Sequence, residues 1–361
     1  MQESLGGDTA LADGAVAAVL NYQQAAVEGP VRSRRDLEGS DGALEGAIWE
    51  GVQLSIGDGR NADLTLDEAG FELRGDSPVT GLGIDFFTHA SVTKKYYALC
   101  EELVQKATGA KVVKAFDHNV RSERGHAEGR TLIGGSAVQQ PAGLVHGDYT
   151  KASAPRRLAA LGEAPKANDA LKDVLKGRPL LGASEVASVL EGGARFALIN
   201  VWRNIDAERP VASTPLACCD ARTTHIGDLL TFEIHYADRV GENYFARHDE
   251  RHVRRRVSLK SSARLYSWRR ALHQQAWWYF PRMEHDEAML IKQWDSAGAL
   301  ACGDERDASE GKPSTFSMHS AFKDPTTPKG APTRESIEVR CVAIFEEEAR
   351  GGAKRQKKTS K

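Results

Sequence analysis

Cysteine and long hydrophobic runs are the two features that this sequence has least of. Its 361 residues contain five cysteines, an odd number, and none belongs to a Cys-x-x-Cys pair. This count excludes a disulfide scaffold and a zinc ribbon, and it favours reduced thiols. No apolar run approaches the roughly 18–20 residues that a membrane helix needs, and no basic region followed by an apolar stretch opens the chain. We therefore expect a cytoplasmic protein without a membrane segment or secretory signal.

The chain also lacks a strong net charge, since 48 Lys and Arg side chains face 50 Asp and Glu side chains. This balance hides a segregation, because residues 251–283 and residues 350–361 contain basic side chains and no acidic ones. The rest of the chain is acidic, so nucleic acid is an unfavourable partner for it. We expect residues 350–361 to form a disordered, solvated basic tail; a nuclear-targeting signal is the weaker interpretation.

Short apolar or alternating segments, separated by turn residues, make up most of the remaining chain. They predict many strands and few helices, which indicates a mainly β protein with peripheral helices, an α+β arrangement built as a sandwich or barrel. Residues 1–45 show little periodicity and predict a flexible leader. Residues 46–349 are expected to form a single domain.

Three local patterns lead to more detailed predictions. Apolar side chains recur at helical spacing over residues 90–108, which predicts an amphipathic helix that ends at Gly109. Residues 63–66 and 70–73 predict a hairpin-like pair of strands. Residues 156–192 predict helices and loops inserted between two strands.

The segment at residues 144–150 contains the spacing His-x-Asp, formed by His146 and Asp148. On a strand, residues i and i+2 project from the same face, so these side chains can offer an imidazole nitrogen and a carboxylate oxygen to one ion. Another histidine would complete the two-histidine, one-carboxylate arrangement that leaves open positions on Fe(II). The alternative is a turn histidine beside an aspartate that caps the strand end.

Three later histidines compete for the third position. His319 is followed by Arg334 and Ser336 at the start of an apolar strand, whereas His225 and His235 flank an earlier strand. A 2-oxoacid that chelates iron holds its far carboxylate away from the metal. An arginine can bind that carboxylate through two parallel N–H groups, and a serine on the same strand face can add a hydroxyl. This order favours His319, while the two earlier histidines stay as rivals.

The carboxylate clamp and the pocket also have alternatives. Arg340 on the same strand face is a second candidate for the clamp, and Arg334 could instead pair with Glu335 or Glu338. Five residues have two interpretations each: they line the pocket, or they serve core packing or a structural polar network. They are His118, Arg121, Asn200, Trp202 and Asn204.

Several blocks of the chain resemble the fungal and bacterial non-haem iron oxygenases, which include gibberellin desaturase-like proteins and the methoxylation component of cephamycin pathways. The blocks are residues 116–121, 145–150, 196–205, 210–218, 228–245, 277–295 and 319–345. The resemblance implies a double-stranded β-helix (jelly-roll) fold. It also implies that His146, Asp148 and His319 hold Fe(II), and that Arg334 and Ser336 bind 2-oxoglutarate.

The activity implied by this resemblance is an Fe(II)/2-oxoglutarate-dependent oxidation by O2 of a small molecule, typically a secondary metabolite. The product could be hydroxylated, desaturated or cyclised. Two alternatives stay open: an iron oxidase that uses the same three ligands without 2-oxoglutarate, and a non-catalytic jelly-roll partner of a tailoring enzyme. The sequence specifies neither the substrate nor the oligomeric state.

The resemblance is interrupted at residues 253–276, a strongly basic segment with no counterpart in the family. One hypothesis is a surface loop, because so many charges in the interior would lack partners. The other is a gene-model artefact in which a retained intron is translated.

Overall fold

The computed structural model of the chain describes residues 14–24, 30–35, 43–236, 239–248, 275–309 and 311–346. The strands in these ranges are β1 (Val16–Gln23), β2 (Val31–Arg35), β3 (Ala43–Glu45), β4 (Trp49–Asp58), β5 (Phe71–Arg74), β6 (Val112–Ser122), β7 (His146–Gly147), β8 (Phe196–Asn204), β9 (Leu216–Cys219), β10 (Leu229–Tyr236), β11 (Val240–Ala246), β12 (Trp277–Tyr279), β13 (Ala288–Asp295), β14 (His319–Ala321) and β15 (Glu335–Ile344). The α-helices are α1 (His89–Ser91), α2 (Tyr97–Thr108), α3 (Glu123–Ala127), α4 (Ser153–Leu161), α5 (Lys172–Leu175) and α6 (Ala183–Leu190). No helix in the described ranges is long and apolar enough to span a bilayer.

The strands form a large and a small sheet. The large sheet has the order β1-β4-β12-β9-β14-β7-β11-β10-β2-β3, and the small sheet has the order β5-β13-β8-β15-β6. Every neighbouring pair in the small sheet is antiparallel. All residues of β8 and β13 are buried, because these strands lie inside the small sheet and both of their faces are covered.

The two sheets pack against each other as a jelly roll. Trp202 and Met289 from the small sheet share a buried cluster with Leu216 and Cys218 from the large sheet. This confirms the prediction of a mainly β, double-stranded β-helix core with peripheral helices.

The helix predicted over residues 90–108 is present and lies against the outer face of the small sheet. A π-helical segment, Val92–Tyr96, joins α1 to α2. Gly109 ends α2 with a φ of 69°, a left-handed conformation that glycine adopts without steric cost. Cys100 and Leu103 bury one face of α2 in a cluster with the outer residues of β6 and β15. Helices α4, α5 and α6 lie between β7 and β8, as predicted for the insertion at residues 156–192, although α4 begins earlier, at Ser153.

The described part of residues 1–45 corrects the expectation of a flexible leader. Strand β1 pairs with β4 over eight residues, and β2 pairs in parallel with β10. Leu20 and Tyr22 have no exposed surface and belong to the largest core cluster. The leader prediction was wrong here because alternate side chains of β1 are buried by strands that lie far away in the sequence. The jelly-roll unit therefore begins before residue 46.

The predicted hairpin at residues 63–73 was also wrong. Residues 63–66 form no strand, and β5 pairs instead with β13, more than 200 residues later in the chain. Two further predictions lie outside the described residues: the tail at 350–361, and the basic insertion at 253–276 except its last two residues.

Candidate metal centre

Two histidines and one aspartate converge inside the jelly roll. His146 lies in β7 and Asp148 just after it, while His319 lies in β14 and is paired with His146 in the sheet ladder. The two imidazole ring centroids are 4.4 Å apart, and His146 Nε2 lies 3.8 Å from Asp148 Oδ1. Ligand atoms of all three residues lie within 4.8 Å of one another. This spacing allows the three side chains to bind a single ion.

Backbone carbonyls orient both imidazole rings. His146 Nδ1 donates to the carbonyl of Leu144 at 2.7 Å, and His319 Nδ1 donates to the carbonyl of Ser317 at 3.4 Å. A carbonyl only accepts, so the proton of each neutral ring resides on Nδ1. The Nε2 lone pairs are therefore available to a metal, the arrangement that outer partners impose on histidine ligands.

The protonation states of the three residues suit a divalent cation. Burial lowers the pKa of His146 to about 4, and His319 beside it adds to this effect. Burial also lowers the pKa of His319. For Asp148, burial opposes ionisation, but Arg340 and the two histidines together lower the pKa of the carboxyl. Near neutral pH the site thus contains two neutral imidazoles and one carboxylate.

The second oxygen of Asp148 is held by the small sheet. Asn200 Nδ2 donates to Asp148 Oδ2 at 3.0 Å, and Arg340 Nε lies 3.5 Å from the same oxygen. Arg340 also forms ion pairs with Asp117 at 3.0 Å and Glu338 at 2.9 Å. Arg340 is therefore saturated by carboxylates of this chain, which argues against its use as the co-substrate clamp.

Arg334 and Ser336 define a buried polar region, here called the recess, that has unused hydrogen-bonding capacity. Arg334 Nη1 donates to the carbonyl of Thr214 at 2.6 Å, and its guanidinium lies 5.4 Å from the ring centroid of Trp202. Arg334 Nε, Arg334 Nη2 and Ser336 Oγ are buried and have no hydrogen-bond partner among the described residues. Burial lowers the pKa of Arg334 to about 9. Neither Glu335 nor Glu338 forms an ion pair with Arg334; Glu338 is paired with Arg340.

Arg121 connects this recess to the three converging residues. It is paired with Ser336 in the ladder between β6 and β15, so the two side chains share a face of the small sheet. Burial is the main cause of the low pKa values of Arg334, His146 and His319, and the nearby charge of Arg121 lowers all three further. Arg121 also lines the same open space as His146 and Asp148, so the recess and the triad both lie close to this one side chain.

A cavity of about 1000 Å³ opens beside His146 and Asp148. Its walls include β6 residues, aromatic residues of β10 and β11, and the α4–α5 region of the insertion. Representative lining residues are Asp117, His118, Arg121, Tyr149, Arg157, Phe232 and Phe245. Open space thus reaches two of the three converging residues from the side of the helical insertion.

Two further residues of the predicted pocket, His118 and Asn204, lie in different surroundings. His118 reaches the cavity wall, and its Nδ1 lies 2.8 Å from the hydroxyl of Tyr97 on α2. Asn204 Nδ2 donates to the carbonyls of Arg209 and Met283, so Asn204 takes part in a structural polar network at the end of β8.

The rival histidines lie elsewhere. His225 Nδ1 accepts from the amide of Gly227, and His235 Nε2 lies 2.7 Å from Glu233 Oε2. Within the described residues, His146, Asp148 and His319 are the one group of three with metal-ligand spacing.

Sequence reasoning missed Gln293. Its Oε1 accepts from the backbone amide of Asp148 at 3.3 Å, and the residue is fully buried. The sequence did carry a signal for Gln293. Lys292 and Gln293 are polar residues inside a mostly apolar strand of the kind that lies in a protein core.

The donor set fits a non-haem iron and a 2-oxoacid. Two imidazole nitrogens and one carboxylate oxygen form the set that suits Fe(II) and leaves open coordination positions. The unpartnered atoms of Arg334 and Ser336 are the donors that a carboxylate needs, because buried polar groups almost always have partners. The fold and these residues define the jelly-roll class that includes the non-haem iron oxygenases.

Comparison with known proteins assigns the family. The profile of the family described as the Oxidoreductase/YMDC permease-like domain matches residues 20–254 and 256–344, and the chain belongs to this family. A protein of Methylophilus leisingeri, described as an uncharacterized protein in the dcmA 3' region, is 37% identical over 194 residues, or 52% of this chain and 89% of that protein.

Two further comparisons concern the iron oxygenases. The Fe(II)/2-oxoglutarate-dependent dioxygenase nvfI of Aspergillus novofumigatus is 29% identical over 255 residues, which cover 71% of this chain and 68% of that protein. The solved structure of the iron and alpha-ketoglutarate-dependent endoperoxidase NvfI superposes with a TM-score of 0.64 at 24% identity, covering 93% of this chain and 100% of that one. The resemblance to the non-haem iron hydroxylases and desaturases is therefore confirmed.

Proposed function

We propose that this protein is an Fe(II)/2-oxoglutarate-dependent oxygenase of a small molecule. In this proposal His146, Asp148 and His319 hold the iron, and Arg334 with Ser336 binds the far carboxylate of 2-oxoglutarate. Bound Fe(II), 2-oxoglutarate and O2 together supply the oxidant that removes hydrogen from a substrate carbon, with succinate and carbon dioxide as co-products.

The observation that carries this proposal is the buried recess beside the triad. Arg334 Nε, Arg334 Nη2 and Ser336 Oγ offer three donors with no acceptor in the part of the chain that the structure describes. An unpartnered buried donor is costly, and one carboxylate can accept from all three. This favours a 2-oxoglutarate-dependent reaction over an oxidase that uses the same triad without a 2-oxoacid.

The chain contributes binding, orientation and exclusion of water. Trp202 lies beneath the Arg334 guanidinium and is itself buried, so the clamp is fixed before the co-substrate arrives. The carbonyls of Leu144 and Ser317 hold both imidazoles with Nε2 directed inward. Such preorganisation reduces the ordering that binding requires.

The cavity beside His146 and Asp148 is the proposed substrate site. Its volume of about 1000 Å³ accommodates a multi-ring metabolite, because ligand pockets usually span about 300–1,000 Å³. Its walls combine aromatic rings with paired charges such as Arg157–Asp169. We extend the proposal to a substrate of the secondary-metabolite kind, and to hydroxylation, desaturation or ring closure as the outcome.

The cellular setting completes this proposal. All five cysteines are free, and four of them are buried, which agrees with a reducing cytoplasm. In such a setting the enzyme could act alone or beside another tailoring enzyme. Size-exclusion chromatography with light scattering would determine its oligomeric state.

The direct test is turnover of 2-oxoglutarate, with and without candidate metabolites, because the proposed reaction converts this co-substrate to succinate and carbon dioxide. Purified protein loaded with Fe(II) should convert 2-oxoglutarate to succinate in proportion to O2 consumed. Oxygen uptake without succinate would support the oxidase alternative. Tight iron binding with neither product, even with candidate metabolites, would support the non-catalytic partner.

A further inference from the structure

Two buried amides, Asn200 in β8 and Gln293 in β13, meet at Asp148. Asn200 Nδ2 donates to Asp148 Oδ2 at 3.0 Å, and Gln293 Oε1 accepts from the Asp148 backbone amide at 3.3 Å. Both amide side chains are completely buried. One therefore fixes the carboxylate and the other fixes the backbone that carries it.

A bulge in the small sheet brings Gln293 to this position. The register between β13 and β8 shifts between Lys292 and Trp294, which leaves Gln293 without a paired residue in the ladder. Bulges turn a side chain away from its regular direction and are common beside active sites. Here the bulge directs an amide towards Asp148 from a strand whose other residues are mostly apolar.

Each amide uses only one of its two polar atoms in a hydrogen bond. Asn200 Oδ1 and Gln293 Nε2 are buried and have no partner in the structure. Unpaired buried polar atoms destabilise a fold, and a leucine would fill either position without that cost. Stability alone therefore does not account for these two residues, whereas their contacts with Asp148 do.

We infer that Asn200 and Gln293 are positioning residues that make Asp148 a one-oxygen ligand. Asn200 and Arg340 hold Oδ2 on the side of the small sheet, and Oδ1 is left facing His146 Nε2 at 3.8 Å. A carboxylate held in this way occupies one coordination position and leaves the others for 2-oxoglutarate and O2. This inference rests on the proposed function, because it assumes that the three converging residues bind a metal.

The test uses Co(II) as a spectroscopic probe of the metal-free protein. Asn200→Leu removes the shorter of the two contacts to Oδ2 and leaves the 3.5 Å contact with Arg340, so the carboxylate is less strictly held to binding through Oδ1 alone. We expect a Co(II) dissociation constant about tenfold higher, together with a changed intensity and position of the visible d–d bands. Asn204→Leu is the matched control, since Asn204 is a buried amide on the same strand face whose hydrogen bonds all go to backbone groups and not to Asp148.

Gln293→Met gives an independent arm if Asn200→Leu does not fold. It preserves side-chain length and removes the acceptor for the Asp148 amide, and it too should weaken Co(II) binding about tenfold. Unchanged Co(II) affinity and spectrum in folded variants at both positions would overturn the inference. Absence of Co(II) binding by the wild-type protein would instead overturn the proposed function.

Discussion

His146 and His319 lie directly opposite each other on neighbouring strands, although 172 positions separate them in the chain, and their ring centroids are 4.4 Å apart. Each ring donates from Nδ1 to a backbone carbonyl two residues before it, Leu144 in one case and Ser317 in the other. The same local geometry thus recurs on both strands and directs both Nε2 atoms to one point beside Asp148.

Replacement of the late histidine should abolish metal binding. His319→Ala leaves one imidazole and one carboxylate, too few ligands to hold Fe(II) or Co(II) tightly, and we expect at least a 100-fold rise in the Co(II) dissociation constant. Isothermal titration of the metal-free protein measures this. His235→Ala serves as the control, because His235 pairs with Glu233 and should leave the affinity unchanged. Equal losses in both variants would contradict the ligand assignment.

Replacement of the clamp should act on 2-oxoglutarate and spare the metal. Arg334→Lys keeps a positive charge but lacks the planar fork, so we expect 2-oxoglutarate to bind about 10–100-fold more weakly. Co(II) affinity should stay within about threefold of wild type, because Arg334 contacts none of the three ligands. The measurements are anaerobic titrations of the metal-loaded protein with 2-oxoglutarate. Normal 2-oxoglutarate affinity in the Arg334→Lys variant would contradict the assignment of Arg334 as the clamp.

A buried histidine outside the triad should make stability depend on pH. Burial lowers the pKa of His118 to about 4 from 6.5, so between these values the unfolded chain binds more protons than the folded one. The free energy of unfolding should therefore rise from pH 4 to pH 6.5, with His118 contributing up to about 3 kcal/mol. Urea unfolding of the metal-free protein over this range measures the slope. His118→Gln should reduce proton uptake on unfolding by about one proton, and an unchanged slope would contradict the assignment.

The first described strand should behave as core. Leu20 has no exposed surface, so Leu20→Ala should lower the free energy of unfolding by about 2–5 kcal/mol. The adjacent Val19 is 50% exposed, and Val19→Ala should change it by about 0.5 kcal/mol or less. Chemical denaturation of both variants makes the comparison. Similar small effects at both positions would restore the expectation of a leader outside the core.

The sequence alone could indicate the chemistry of the site because that chemistry depends on local spacing. His146 and Asp148 are two residues apart at the end of β7, and Arg334 and Ser336 have the same spacing at the start of β15. The alternation of side chains along an extended chain predicts that the members of each pair share a face. The long helix ending at Gly109 was likewise predictable from residues close together in the chain. The resemblance to a known family then connected these local patterns.

What the sequence could not reveal depends on partners distant in the chain. The place of β1 in the core is set by pairing with β4 and by contacts with later strands. The strand at Phe71–Arg74 pairs with β13, so a local hairpin was the wrong choice. Gln293 reaches Asp148 only because of a register shift, which no periodic pattern in a single strand predicts.

The most direct test of the account is an anaerobic titration of the Fe(II)-loaded protein with 2-oxoglutarate, followed by visible absorption. A weak charge-transfer band should develop and saturate at one equivalent, because chelation of the iron by the 2-oxoacid needs both the open positions at the triad and the Arg334 recess. Tight Fe(II) binding with no such band at millimolar 2-oxoglutarate would contradict the account.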